Sequence, residues 1–197
     1  MIREPVRSVM MLPTHVLVGM TLATPIAVAV PELAGTAVAG AVIGSVFPDL
    51  DIVARHRRTL HFPTGYVLLA TPTVIVAIVW PTTMTTAVAT TTVAAAVHSW
   101  MDAYGGSYDL RPWERTTDRA VYDHIRGEWR PAKRSIPYDG SPSDLLVSVG
   151  AAVAPLVFLD GTYLPLVAAA LVVAASYTLL RRRLPDFVDD VVDRLRG

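Results

Sequence analysis

The sequence predicts an all-α membrane protein, a polytopic bundle of about six transmembrane helices with both termini in the cytoplasm. Three observations carry this. Of 197 residues, 52% are hydrophobic and only 17% charged, against about 25% charged in an ordinary soluble domain. The apolar residues are gathered into runs, and the basic residues lie on one side of those runs. A soluble domain with six apolar core helices is the alternative, and it would leave almost no polar surface.

The runs are 15–30, 33–47, 66–80, 82–101, 145–159 and 162–180. Several are short for a hydrocarbon core of about 30 Å, which asks for about 20 residues. Flanking Thr14, Pro31, Glu32 and Pro48 extend the first two. With the N-terminus inside, the cytoplasmic segments 1–14, 48–65, 102–144 and 181–197 hold 2, 3, 7 and 5 Lys and Arg, which are all seventeen in the chain. The outer loops near Glu32, Pro81 and Asp160 hold none, so the reverse orientation violates the positive-inside rule at every loop. Domain organisation follows as one membrane-embedded unit, 1–197, with a cytoplasmic or interfacial insertion at 102–144 and a cytoplasmic tail at 181–197.

Before the first span, Arg3 and Arg7 precede an apolar stretch that also has the form of a signal peptide. Cleavage there is not expected, five later apolar runs set the class in either case, and Met10 or Met11 is an alternative start. In the second span Gly35, Gly40 and Gly44 permit close helix approach. Thr85, Thr86, Thr90, Thr91 and Thr92 of the fourth return their hydroxyls to backbone carbonyls rather than line a pore. Within 113–129, the spacing of Tyr122, Ile125 and Trp129 marks one face of an interfacial helix, ended by Pro131, Pro137 and Pro142. In the tail, Phe187, Val188, Val191, Val192 and Leu195 form an apolar face against Asp189, Asp190, Asp193, Arg194 and Arg196.

Charge and composition exclude several functions. Seventeen basic residues balance seventeen acidic ones, so no dedicated nucleic-acid binding is expected. The absence of cysteine removes disulfides, thiolate zinc sites, iron–sulfur clusters and thiol nucleophiles.

Chemistry concentrates at helix ends. His15 opens the first span, Asp49 and Asp51 follow the second, His61 precedes the third, and His98 with Asp102 ends the fourth. The topology brings all of them to the cytoplasmic depth. His98 and Asp102 are four apart and share a helix face, while Asp49 and Asp51 face one side if the chain is extended there. Imidazole and carboxylate donors suit Zn²⁺, and also Mn²⁺, Fe²⁺ or Ni²⁺. Such an ion supplies Lewis acidity and acidifies a water. Arg57, Arg58 and Arg111 are phosphate clamps or ordinary cytoplasmic anchors. His56 and His124 have no matching helix-end position.

Residues 14–19, 44–51, 57–61 and 98–102 together resemble the motifs of the YdjM-like membrane-bound, metal-dependent hydrolases. Gly105 and Arg111-Pro112-Trp113 are similar to the segment after that family's last motif. The order His15, Asp51, His61, His98, Asp102 is also similar to part of the ligand pattern of zinc-dependent phospholipases C. The resemblance implies metal ligation by those five residues, with Asp49 a further ligand or general base. The chain departs from these patterns at Phe62, after His61, and in having only His124 downstream, so a one- or two-metal centre is expected rather than a trinuclear one.

The function expected is metal-dependent hydrolysis at the cytoplasmic membrane face, zinc being the first choice of ion. Asp49, Asp51, Arg57, Arg58 and Arg111 are its candidate catalytic residues, and a phosphoester or lipid-linked molecule its substrate. Membrane lipid is the expected partner. A transporter with a metal or anion site and a non-catalytic scaffold joined by a metal are the alternatives.

Overall fold

The structure, a computed structural model, describes residues 12–196. Arg3, Arg7, Met10 and Met11 lie outside the described residues, as do the side chains of Leu195 and Arg196. Each of the six apolar runs folds as a helix. These are α1 (Leu12–Ala29), α2 (Ala34–Val46), α3 (Pro63–Val79), α4 (Thr83–Tyr104), α5 (Pro142–Phe158) and α6 (Leu164–Leu180), followed by α7 (Leu184–Arg196) over the amphipathic tail. Local chemistry sets their starts. Pro63 and Pro142 occupy first helical positions, where a missing N–H is harmless. Thr82 and Thr85 close a reciprocal capping box before α4.

Among the described residues, three helical stretches are long and apolar enough to cross a membrane: Leu12–Ala29, Pro31–Val53 and Gly161–Leu180. The expectation of six is met in part. α3 and α5 stop at 17 residues each, about 26 Å of helix at 1.5 Å per residue, short of the hydrocarbon thickness. α4 has 22 residues, but its threonines dilute its apolar character. The outward faces of α3 and α6 expose Leu68, Leu69, Ile75, Ile78, Val172 and Val173, apolar surface of the kind a bilayer covers.

α1 packs against α2 and α5, α2 against α4, α4 against α3, and α5 against α6. The core shared by α1, α2, α4, α5 and α6 is built from Leu17, Met20, Ala37, Val38, Ala41, Ala94, Ala152 and Val167 among others. Thr90 and Thr92 behave as expected, each donating back to the carbonyl four residues earlier, and Thr24 of α1 does the same. Thr91 instead donates across to Gly40 O at 3.1 Å. That cross-helix bond needs a small-residue seam. A Cβ on Gly44 would run into the Thr91 carbonyl and come within 2.9 Å of its Cα. Gly44→Ala is therefore expected to lower stability by about 1–3 kcal/mol or more, because backbone cannot step aside as a side chain can. Gly150→Ala, whose added Cβ meets nothing within 4 Å, should leave the thermal midpoint in detergent unchanged or higher. Equal midpoints for the two variants would refute the seam.

The insertion corrects one expectation. Residues 113–129 do not form an interfacial helix; β1 (Arg119–Asp123) and β2 (Glu128–Pro131) make an antiparallel hairpin. Tyr122 and Trp129 are cross-strand partners, with rings 5.6 Å apart. Gly127 takes the turn at φ +70°, a conformation that suits glycine. Asp123 ties the turn down. Its Oδ1 accepts from Ile125 N and Arg126 N, and its Oδ2 from Arg130 and from Thr64 at the start of α3. Burial works against its charge, yet these donors hold its pKa below the usual carboxylate range. The hairpin also braces the loop before α3, since Tyr122 N donates to Arg57 O at 2.9 Å.

Candidate metal centre

Helix ends build the centre. α1 contributes His15 from its first turn and α4 contributes His98 and Asp102 from its last turns. After α2 the chain tightens into a 3₁₀ turn over Phe47–Val53, with Pro48 in its first turn. Three residues per turn separate positions i and i+2 by about 120° around the axis. Asp49 and Asp51 therefore diverge, which corrects the expectation that they share a side.

Asp49 turns towards the helices and Asp51 towards the loop that follows. Asp51 Oδ1 accepts from His56 Nδ1 at 2.9 Å and Arg57 N at 3.3 Å. Its Oδ2 accepts from Arg58 N, Leu60 N and His61 Nδ1 at 3.2, 3.1 and 2.9 Å. The loop from His56 to His61 is folded around this one carboxylate. Asp51 thus stands behind His61, with both oxygens already bonded, rather than beside the other candidate ligands.

Two tautomers follow from these partners. A carboxylate can only accept, so His61 carries its proton on Nδ1 and presents Nε2. Ser45 O likewise accepts from His98 Nδ1 at 2.6 Å, which leaves His98 Nε2 to face inwards. This is the usual arrangement behind metal-ligating imidazoles, where the far nitrogen is fixed by a carboxylate or carbonyl.

The inward atoms converge. His61 Nε2 lies 3.0 Å from Asp102 Oδ2 and 3.6 Å from Asp49 Oδ1. His98 Nε2 lies 3.4 Å from Asp49 Oδ1 and 3.9 Å from Asp102 Oδ2. His15 Nε2 is 3.4 Å from Asp102 Oδ1, and its ring stacks on that of His98 at 3.8 Å. Among the described residues, two groups could each hold a divalent ion: His15, His98 and Asp102, and Asp49, His61 and His98. His98 belongs to both and has one free nitrogen, so the two groups meet at a single donor atom.

All five residues are buried. Eight of their side-chain atoms lack a hydrogen-bond partner: both nitrogens of His15, both oxygens of Asp49 and of Asp102, and Nε2 of His61 and of His98. Leaving one such buried group unsatisfied costs about 1–3 kcal/mol, and eight in one place are what a cation's donor set looks like. Charge agrees. Asp49, Asp51 and Asp102 carry three negative charges against one on the fully buried Arg57, a deficit that one divalent ion cancels when the imidazoles are neutral. Burial opposes a charged His61, but the Asp102 and Asp51 carboxylates outweigh it and raise its pKa to about 9. A proton there answers the same negative charge that a cation answers.

The three arginines separate. Arg57 reaches the centre, with Nε 3.5 Å from Asp102 Oδ2 and Nη1 donating to Gly106 O at 2.8 Å. Arg58 lies over the Tyr122 ring at 4.4 Å. Arg111 pairs with Asp186 and Asp189 of α7 at 2.9 and 2.7 Å. Those last two are engaged outside the group of converging donor atoms. His124 packs on Phe62 at 4.4 Å.

Sequence reasoning missed His56, which is buried and bonded to Asp51. Flanked by arginines, it looks like part of a basic anchor. The equal spacing of five residues from Asp51 to His56 and from His56 to His61 was the available signal. The Ser45 carbonyl carried no signal, since any residue supplies one. The chain matches no family model, no curated protein and no solved structure.

Proposed function

We propose that the chain is a multi-pass membrane hydrolase of the YdjM-like type, with about six spans, both termini cytoplasmic, and one divalent-metal centre at the cytoplasmic face. The observation that carries this reading is the group of eight buried, unpartnered donor atoms on His15, Asp49, His61, His98 and Asp102. Zinc fits this nitrogen and oxygen set. When bound, the ion supplies Lewis acidity and an acidified water.

The chain's own residues do the rest. His15, His61, His98, Asp102 and Asp49 hold the ion, while Asp51 and the Ser45 carbonyl fix the ring orientations of His61 and His98. Asp49, at 8% exposure the most accessible of the five, is placed to accept the proton that a reacting water gives up. The His98 nitrogen common to both donor groups favours one ion over two. Position favours hydrolysis over transport, since secondary transporters bind near mid-bilayer and here every donor sits at or near a helix end.

Elemental analysis of detergent-purified protein tests the reading. It should find about one divalent ion per chain, and chelation should remove the ion and lower the thermal midpoint, because an ion bound only by the folded state stabilises it. Restoring the metal should restore the midpoint and hydrolysis of phosphoester or lipid substrates. Absence of stoichiometric metal in protein purified without chelators would overturn the proposal. Metal with no hydrolysis would favour the scaffold.

A further inference from the structure

At the end of the bundle away from the metal centre, the helices leave a slot of about 470 Å³. Its walls are α1, at Ile26 and Ala29, and α3, at Val74 and Ala77; its floor is Ala41 of α2 and Ala89 of α4. Among the described residues, α1 packs on α2 and α4, and α3 on α4, while α1 and α3 do not pack closely on each other. Alanines on both walls and on the floor keep the space between them hollow. Along α1 the slot runs from Leu22 to Val30, about 12 Å of helix, and His15 lies about 10 Å further along the same axis.

The lining selects an apolar guest. No charged residue among those described borders the slot, and Thr86 and Thr90 bring its only hydroxyls. Thr90 already donates to Thr86 O at 2.9 Å. A water needs two to four polar partners, and cavities without them stay dry and take apolar molecules. The volume is roughly three times the space of about 150 Å³ that accepts one benzene, which gives room for roughly eighteen carbons. Extended along the helices, that room fits a single long hydrocarbon chain lying parallel to α1 and α3. Leu22 and Ile78 line the slot and are also exposed, so it is open at its side. Val28, Ile75 and Val79, beside the lining, are exposed as well, and the slot is therefore continuous with the apolar surface that a bilayer covers. The turns at this end, 30–33 and 80–82, carry Glu32 and no Lys or Arg, so they offer no cation to an anionic headgroup.

We propose that the slot is a lipid site that holds one long acyl chain of a bilayer lipid and selects it by its hydrocarbon rather than its headgroup. The bound chain fills the space between α1 and α3 and joins two helices that do not pack closely on each other. Empty apolar space weakens a fold in proportion to its volume, and a ligand held only by the folded state stabilises it. The lipid is thus a structural ligand of the bundle. Its site shares no residue with the metal centre and does not rest on the hydrolase reading.

Native mass spectrometry of the full chain, delipidated in detergent and given one lipid at a time, tests this. The probes are dioleoyl phosphatidylcholine, dioleoyl phosphatidylglycerol and dihexanoyl phosphatidylcholine. Wild type should retain one dioleoyl lipid per chain with similar affinity for either headgroup. It should bind the dihexanoyl lipid at least tenfold more weakly, because each methylene left out forfeits burial. Only the dioleoyl lipids should raise the thermal midpoint. Ala29→Phe and Ala77→Phe fill the slot from opposite walls, at positions outside the fully buried core, and each should weaken retention at least tenfold. Ile75→Phe, exposed on α3 and outside the lining, should retain the lipid as wild type does. Wild type that retains no lipid, a preference for one headgroup, equal binding of the short-chain lipid, or full retention in the filled variants overturns the site. So does equal loss in Ile75→Phe, which makes the lipid a general coat. A delipidated wild type that dimerises and retains no lipid, with Ala77→Phe monomeric, assigns the slot to a second copy of the chain and overturns it too. None of these outcomes bears on metal content, so failure here leaves the metal reading standing.

Discussion

His98→Ala should empty the metal centre, taking stoichiometric metal to below about a tenth and weakening affinity by more than about 100-fold. The magnitude follows from position. Loss of an outer residue that merely orients a ligand costs about 10–100-fold in affinity, and His98 is a member of both donor groups. No neighbour can replace it. Its ring is locked by Ser45 O on one side and by the stacked His15 on the other, so its Nε2 is preset where Asp49 and Asp102 meet. Hydrolysis should fall with the metal, while membrane insertion stays intact. The comparison is Arg111→Ala, which removes exposed ion pairs to α7 and should leave metal content as in wild type. Elemental analysis of both variants checks the pair, and full metal occupancy in His98→Ala would remove the basis of the site.

How far the sequence displays this site depends on what kind of contact each residue makes. Helix runs were legible from their apolar residues, and the candidate donors from their recurrence at the ends of those runs. His15, Asp49, His61, His98 and Asp102 could then be grouped from residues as far apart as 15 and 102, and they do converge. Asp51 was legible as a neighbour of the site but not in the direction it faces. Whether it faces the helices or the loop depends on a 3₁₀ turn, and an i, i+2 pair looks the same in sequence whether the chain is extended or tightly wound. The hairpin failed for a related reason. Tyr122 and Trp129 are seven apart, which reads as two helical turns, yet the same spacing sets them opposite one another across a turn at Gly127. Arg57 differs from Arg58 only in the backbone that carries it, φ +57° against an ordinary value, and nothing in Arg-Arg says which one is turned inwards.

The divergence of Asp49 and Asp51 yields the sharpest contrast. Both should lose metal as asparagine variants, but their metal-free forms should differ in opposite directions. Asp51 accepts five hydrogen bonds through two oxygens. Asparagine keeps one acceptor and turns an NH₂ towards N–H groups that need an oxygen. Breaking a buried, hydrogen-bonded charge in this way costs about 3–5 kcal/mol, and the loop from His56 to His61 should loosen with it. Asp49 has no hydrogen-bond partner on either oxygen and lies near a second carboxylate, Asp102, across the His98 and His61 nitrogens. Asp49→Asn removes one of three negative charges from a buried cluster in which positive charge is scarcer. Chelator-treated Asp49→Asn should therefore unfold at the same midpoint as chelator-treated wild type or a higher one, and Asp51→Asn at a clearly lower one. The metal-loaded proteins reverse the comparison for Asp49. Wild type gains stability from the ion and Asp49→Asn does not, so the variant becomes the less stable of the two only when metal is present. If Asp49→Asn proves as damaging as Asp51→Asn without metal, its carboxylate is part of the folded framework, and the division between a residue that holds the ion and one that holds the holder fails.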